Sequence, residues 1–156
     1  MVIRQRREVS MSDIVERLRD FDPELHPIMG LAAATGPDRE LDFLILEHMG
    51  TITHREVEPW TKYYLNGKLF MSIPEGCMDS PAVGLPKEVW ITDSIDAALA
   101  LVAEKLPGWG VSLVIVTGED AACTLFDGNG ARYCWYAPTA PLAILRALVA
   151  AMEGQR

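Results

Sequence analysis

At 156 residues, 49% hydrophobic and 23% charged, the chain has the composition of one ordinary globular domain and not of a disordered one. Its formal charge of −8 argues against a nucleic-acid binder held by phosphate contacts, because that affinity depends on clustered Lys and Arg. The basic run is confined to Arg4, Arg6 and Arg7, and without those three 11 basic residues face 22 acidic ones, a balance that favours solubility over a dedicated acidic binding face.

In chain order, residues 1–10 read as a mobile tail, after which Ser12 can cap a short helix with Ile14, Val15 and Leu18 on one side, until Asp22 and Pro23 interrupt it. A second apolar stretch runs from Ile28 to Ala34. Thr35 then caps a further helix, with Asp38 three residues on in the manner of a capping box; Leu41, Leu44 and Ile45 face inward, Phe43 and Leu46 widen the apolar side, and Gly50 ends the helix. Residues 11–50 thus form a helical N-terminal part. Thr51 to Glu58 is polar and reads as a loop or a short edge segment. Tyr63 to Ile73 carries a strong hairpin signal, because both residues of Asn66-Gly67 tolerate positive φ; a two-residue loop pairs Tyr64 with Leu69. Three prolines and two glycines between Pro74 and Pro86 predict an irregular surface loop, and Glu75, Asp79, Lys87 and Glu88 are its candidate interaction residues.

Trp90 to Thr117 reads as a capped helix turning directly into a buried strand. Asp93 is the expected N-cap, Ile95, Ala98, Leu99, Val102 and Leu106 recur at helical spacing, and Pro107-Gly108 ends the helix. Val111 and Leu113 to Val116 are apolar on both faces, which predicts a central strand covered on both sides. Trp109 stands at the junction, where a large ring seals the turn or lines a pocket; the dominance of aromatic rings in cores favours the seal.

Turns at 118–120 and 127–130 then predict an antiparallel meander of Ala121–Phe126 and Ala131–Ala137. A symmetric loop pairs Phe126 with Ala131 and so Cys123 with Cys134, and puts Tyr133 and Trp135 on one face with Arg132, Cys134 and Tyr136 on the other. Trp109, Tyr133 and Trp135 are candidate pocket-lining residues. Thr139 caps a last helix with Leu142, Leu145, Val149 and Met152 on its buried stripe; Ile144 and Leu148 beside that stripe suggest surface left over for self-association. The whole reads as a single α+β domain, residues 60–156 supplying the sheet and two helices.

The segments LAAATGPDRELDFLILEHMG, TDSIDAALALVAEKLPGWGVSL and YAPTAPLAILRALVAAM resemble uncharacterised phage and prophage proteins carrying the phage ABA sandwich domain. The likeness covers roughly a third of the chain and lies in the order of the ATGPDRELD turn, the SIDAAL helix leading into PGW, and the APT-capped last helix. It implies an α/β/α sandwich with a mainly antiparallel sheet, N-terminal helices and a C-terminal helix. Pro141 stands one residue later than in the family pattern, and residues 51–91 match nothing in it. The family has no established activity, so the resemblance implies no catalytic residues.

Chemical signatures are sparse. His26, His48 and His54 lack helical zinc spacing; Cys77, Cys123 and Cys134 are odd in number and without a CxxC, which points to neither a disulfide framework nor a metal site. Gly108 and Gly110 flank Trp109 without a phosphate-binding GxGxxG or P-loop, and Ser94 and Ser112 lack the GxSxG turn of an exposed nucleophile. Glu119, Asp120 and Asp127 suit the turns they occupy. No catalytic residue, cofactor or metal is therefore expected. No stretch has the apolar length of a membrane span, nor does the N-terminus have the apolar core of a signal peptide, which predicts a cytoplasmic protein in a bacterial host cell. The expected function is a non-enzymatic phage or prophage accessory protein binding a host or phage macromolecule, most simply a protein; the alternative is a small-molecule binder or enzyme with a pocket on the sandwich.

Overall fold

The computed structural model describes residues 27–155. The tail over residues 1–10 and the helix after Ser12 fall outside the described residues. The described residues are α+β: four helices and two three-stranded antiparallel sheets, with helices leading and a helix closing the order.

Helix α1 (Pro27–Ala33) precedes α2 (Arg39–His48). Asp38, not Thr35, caps α2: its backbone is extended (φ −150°) and its carboxylate accepts from the Leu41 amide at 3.2 Å. Leu41, Phe43, Ile45 and Leu46 are buried on the inward side. The helix ends as expected at Gly50, which takes φ +77° while the Gly50 and Thr51 amides donate to the Glu47 and Leu46 carbonyls. A side chain is disfavoured in that left-handed region, and the paired bonds satisfy carbonyls the helix leaves open.

Strands β1 (Ile52–Val57), β2 (Trp60–Leu65) and β3 (Lys68–Pro74) form sheet A in that order. β1 is thus the edge segment, and not the loop, allowed for Thr51–Glu58. The hairpin has the expected turn, Asn66 and Gly67 both at positive φ, and pairs Tyr64 with Leu69; an irregularity after Tyr64 then sets Tyr63 opposite Met71. From Pro74 the chain is irregular apart from single 3-10 turns at Pro81–Gly84 and Lys87–Val89.

Helix α3 (Ile95–Lys105) begins one residue later than expected. Ser94 is its cap, accepting from the Ala97 amide at 3.2 Å, while the Asp93 carboxylate is drawn instead to Arg39 at 3.1 Å. Strands β4 (Gly110–Val114), β5 (Ala121–Phe126) and β6 (Arg132–Ala137) form sheet B, again in sequence order. Among the described residues, the central strand expected over 111–116 is therefore an edge strand paired with β5 alone, and Val114, Ile115 and Val116 are exposed. An apolar run reports what its side chains resemble, not whether strands lie on both sides of it.

The β5–β6 register is also offset by one from the symmetric expectation. Phe126 pairs with Arg132, Cys123 with Trp135 and Thr124 with Cys134, so Cys123 and Cys134 lie on opposite faces. The reason is an odd, five-residue connection: the Asp127 carboxylate accepts from the Asn129 amide at 3.0 Å and the Ala131 amide at 2.7 Å, drawing Ala131 into the turn. Such side-chain-to-backbone bonds are what Asp brings to turns. The alternation within β6 stands: Tyr133 and Trp135 pack against the core, whereas Arg132, Cys134 and Tyr136 are exposed.

Helix α4 (Ala140–Gly154) lies at the centre. From Ala140 to Ala151 every residue but Arg146 is buried, and the helix touches β5, β6, α1 and α3. A helix apolar all round is a core helix. Ile144 and Leu148 are fully covered by the chain's own elements, so they offer no spare surface for self-association. Thr139 holds the N-cap position without a side-chain cap bond, and Pro141 sits in the first turn as expected.

Candidate functional site

Two buried polar side chains, those of Asp42 and Thr92, are engaged in holding the molecule together. Asp42 on α2 is fully buried and accepts from the Thr92 amide at 2.7 Å and from Arg39. The Thr92 hydroxyl donates to the Asp38 carbonyl at 3.2 Å and accepts from its amide at 2.8 Å, while the Arg39 guanidinium lies 3.8 Å above the Trp90 ring. These bonds clasp the start of α2 to the approach to α3. Burial raises the Asp42 carboxyl above its ordinary range, against the lowering pull of Thr92 and Arg39.

Arg146, the one charge in the middle of α4, donates to the carbonyls of Leu31, Ala32, Ala34 and Tyr136 at 2.9–3.2 Å. Three of these carbonyls belong to the last turn of α1 and the residue beyond it, where a cation both satisfies open acceptors and complements the helix dipole. Burial lowers its pKa, partly offset by Asp120. The sequence signal for this role was a lone Arg inside AILRALVAAM, since a charge in an apolar helix needs partners.

The candidate loop residues do not converge. Glu75 is exposed and lines a hollow of ≈ 150 Å³ with Glu56, Glu58, Pro59, Trp60 and Thr61. Asp79 accepts from the Cys77 thiol at 3.3 Å, Lys87 lies 5.8 Å from the Trp90 ring centre, and Glu88 is exposed on the second 3-10 turn. Trp109, Tyr133 and Trp135 are brought together on the helix-covered face of sheet B. All three are half-buried against the core, with the Trp109 and Tyr133 ring centres 6.1 Å apart. Tyr133 also reaches the end of α4: a Cβ on Gly154 would stand 2.2 Å from its hydroxyl.

The opposite face of sheet B is open. Register places Gly110, Phe126 and Arg132 in one row, Ser112, Thr124 and Cys134 in the next, and Val114, Ala122 and Tyr136 in the third. Tyr136 is 62% exposed, and the Phe126 ring covers Gly110, where a Cβ would meet it at 2.2 Å. Ser112, Thr124, Phe126, Arg132 and Cys134 line a hollow of ≈ 280 Å³. This face combines exposed aromatic rings, hydroxyls and one guanidinium on a rigid sheet, which suits adhesion to another surface. Period-two alternation in β6 had placed Arg132, Cys134 and Tyr136 together; only the register adds Phe126, Thr124 and Ser112.

Among the described residues no group of three or more His, Cys, Asp or Glu is arranged to hold a metal, and no helix is long and apolar enough to cross a membrane. Comparison with protein-family models, with curated proteins and with solved structures finds no match for the chain.

Proposed function

We propose that the chain is a non-enzymatic binding protein that holds a protein partner on the open face of sheet B. The observation that carries this reading is the exposure of Tyr136, Phe126 and Val114 together on a sheet whose other face is anchored on α4. Aromatic residues on a rigid support concentrate binding energy at protein interfaces, and the flanking Arg132 offers a forked donor for a carboxylate or carbonyl. The phage or prophage setting, and action in the cytoplasm of a bacterial host, rest on the sequence resemblance; the net charge of −8 favours a protein over a nucleic acid as partner.

Affinity capture from a host lysate, run beside a screen for co-purifying metabolites, tests the proposal. A specific protein retained by the wild type and by Glu88→Lys, but lost with Tyr136→Glu, is the expected result. A small molecule bound instead would favour the alternative reading of a pocket binder or enzyme, with the ≈ 280 Å³ hollow beside Arg132 and Cys134 as the place to seek it.

A further inference from the structure

The two sheets treat their open edges differently. β1, at the edge of sheet A, carries Arg55 and Glu56, charges that discourage a further strand. β6, at one edge of sheet B, has its Tyr136 carbonyl taken by Arg146 and is followed by Pro138. β4, at the other edge, is Gly-Val-Ser-Leu-Val, without a charge or a proline. Val111, Val114, Ile115 and Val116 along and beyond it are 37%, 53%, 60% and 48% exposed. The strand has the composition of an interior strand and the position of an edge one.

We propose that β4 pairs antiparallel with β4 of a second copy, joining the two sheets B into one six-stranded sheet about a two-fold axis at Ser112. The strand is self-complementary in this register. Val111 falls opposite Leu113 of the second copy on the helix-covered side, and Gly110 opposite its Val114 on the open side, where the missing Cβ and the overlying Phe126 ring make room and contact. One step further out, Ile115 falls beside Trp109 of the second copy, covering the most exposed apolar residue of the segment. The pairing leaves the open faces of both copies on one side of a continuous platform, and it stands whether or not that platform holds a partner.

Sedimentation equilibrium of the full chain over a dilution series, with amide exchange followed on the same samples, tests the pairing. The expected result is a mass that rises toward two copies with concentration, while amides of residues 110–116 gain protection in step. Val114→Lys should return the chain to one copy with an unchanged circular dichroism spectrum, whereas Arg55→Ser on the β1 edge should leave the dimer intact. A single copy at every concentration overturns the proposal, as does protection of 110–116 that is independent of concentration, which would mean that the chain covers its own edge. A dimer that survives Val114→Lys or gains its protection elsewhere overturns it equally.

Discussion

Sheets A and B share a topology, three antiparallel strands in sequence order, yet they hold to the molecule in different ways. Sheet B lays Ala121, Cys123, Leu125 and Ala137 directly on α4, each at most 3% exposed. Sheet A has one fully buried strand residue, Ile52, and reaches the core through α2 and the 3-10 turn at Pro81–Gly84. The difference follows from the side chains. Sheet A carries charges along its edge strand and half-buried aromatics such as Tyr63, whose ring meets Phe43 edge-on at 5.6 Å. Topology alone therefore does not say which sheet supports the fold; the burial of one face does.

Truncations should separate the two sheets most strongly. Leu125→Ala, which opens a cavity under α4, is expected to cost about 3 kcal/mol. Leu69→Ala, on a residue of sheet A that is half exposed, should stay within about 0.5 kcal/mol. Denaturant unfolding monitored on both variants checks this, and equal losses would mean that sheet A shares the central core.

Arg146→Leu attacks the same centre through its polar side. It strands the carbonyls of Leu31 and Ala34 in part-buried surroundings, while water can replace the guanidinium at Ala32 and Tyr136, so a loss of about 2 kcal/mol is expected. Thermal unfolding reads it, and amide exchange should locate the loosened region at α1 and the edge of β6. A wild-type midpoint would show that those bonds contribute nothing net.

In sheet A the sensitive position is a turn. Gly67→Ala places a side chain at φ +80° and should cost about 1 kcal/mol, although no atom lies within 4 Å of the added Cβ. A variant as stable as the wild type would mean that the turn relaxes to another form without disturbing Tyr64 and Leu69.

These contrasts also mark what the sequence made legible. Asn66-Gly67 specifies its hairpin because backbone conformation at two adjacent residues sets the pairing by itself. Asp127-Gly128-Asn129-Gly130 looked equally symmetric, but an Asp side chain that bonds two amides recruits Ala131, and a one-residue change in loop length moved Cys134 from Cys123 to Thr124. Helix stripes were readable only in part, since α3 buries Ala97 and Leu101 off the expected stripe and α4 is buried nearly all round, and caps only nearly so: Thr35 and Asp38, like Asp93 and Ser94, compete within a few residues, and the Asp93 carboxylate goes to a distant partner, Arg39. The open face of sheet B was half visible in β6 alternation. Its other half depended on strand neighbours, which no local pattern encodes.

The clasp at Asp42 joins the two halves, and pH should sharpen its part. Burial holds its carboxyl proton to higher pH in the folded chain than the ordinary value near 3.8. The contribution of Asp42 is then fully present below that value and declines as pH rises through the folded pKa. Unfolding free energies of the wild type and Asp42→Asn, compared across the acid range, should show a wild-type advantage that falls with rising pH and then levels. An advantage that grows with pH would mean that Arg39 and Thr92 outweigh burial.

The finest comparison lies within sheet B, between its two faces, and it needs no loss of stability to read. Cys123 is fully buried beneath α4, and its thiol is pushed up to about 11, first by burial and then by the neighbouring Cys134. Cys134 and Cys77 are exposed. Since the thiolate is the reactive form, a thiol reagent near neutral pH should titrate two of the three cysteines in the folded chain and the third only after denaturant is added. Peptide mapping should assign the late one to Cys123. Had the two cysteines faced each other under the helix, Cys134 would be shielded as well and a mild oxidant could join them. A Cys134 that reacts as slowly as Cys123 would therefore return both residues to one face and undo the register on which the open surface, its hollow and the row from Gly110 through Phe126 to Arg132 depend.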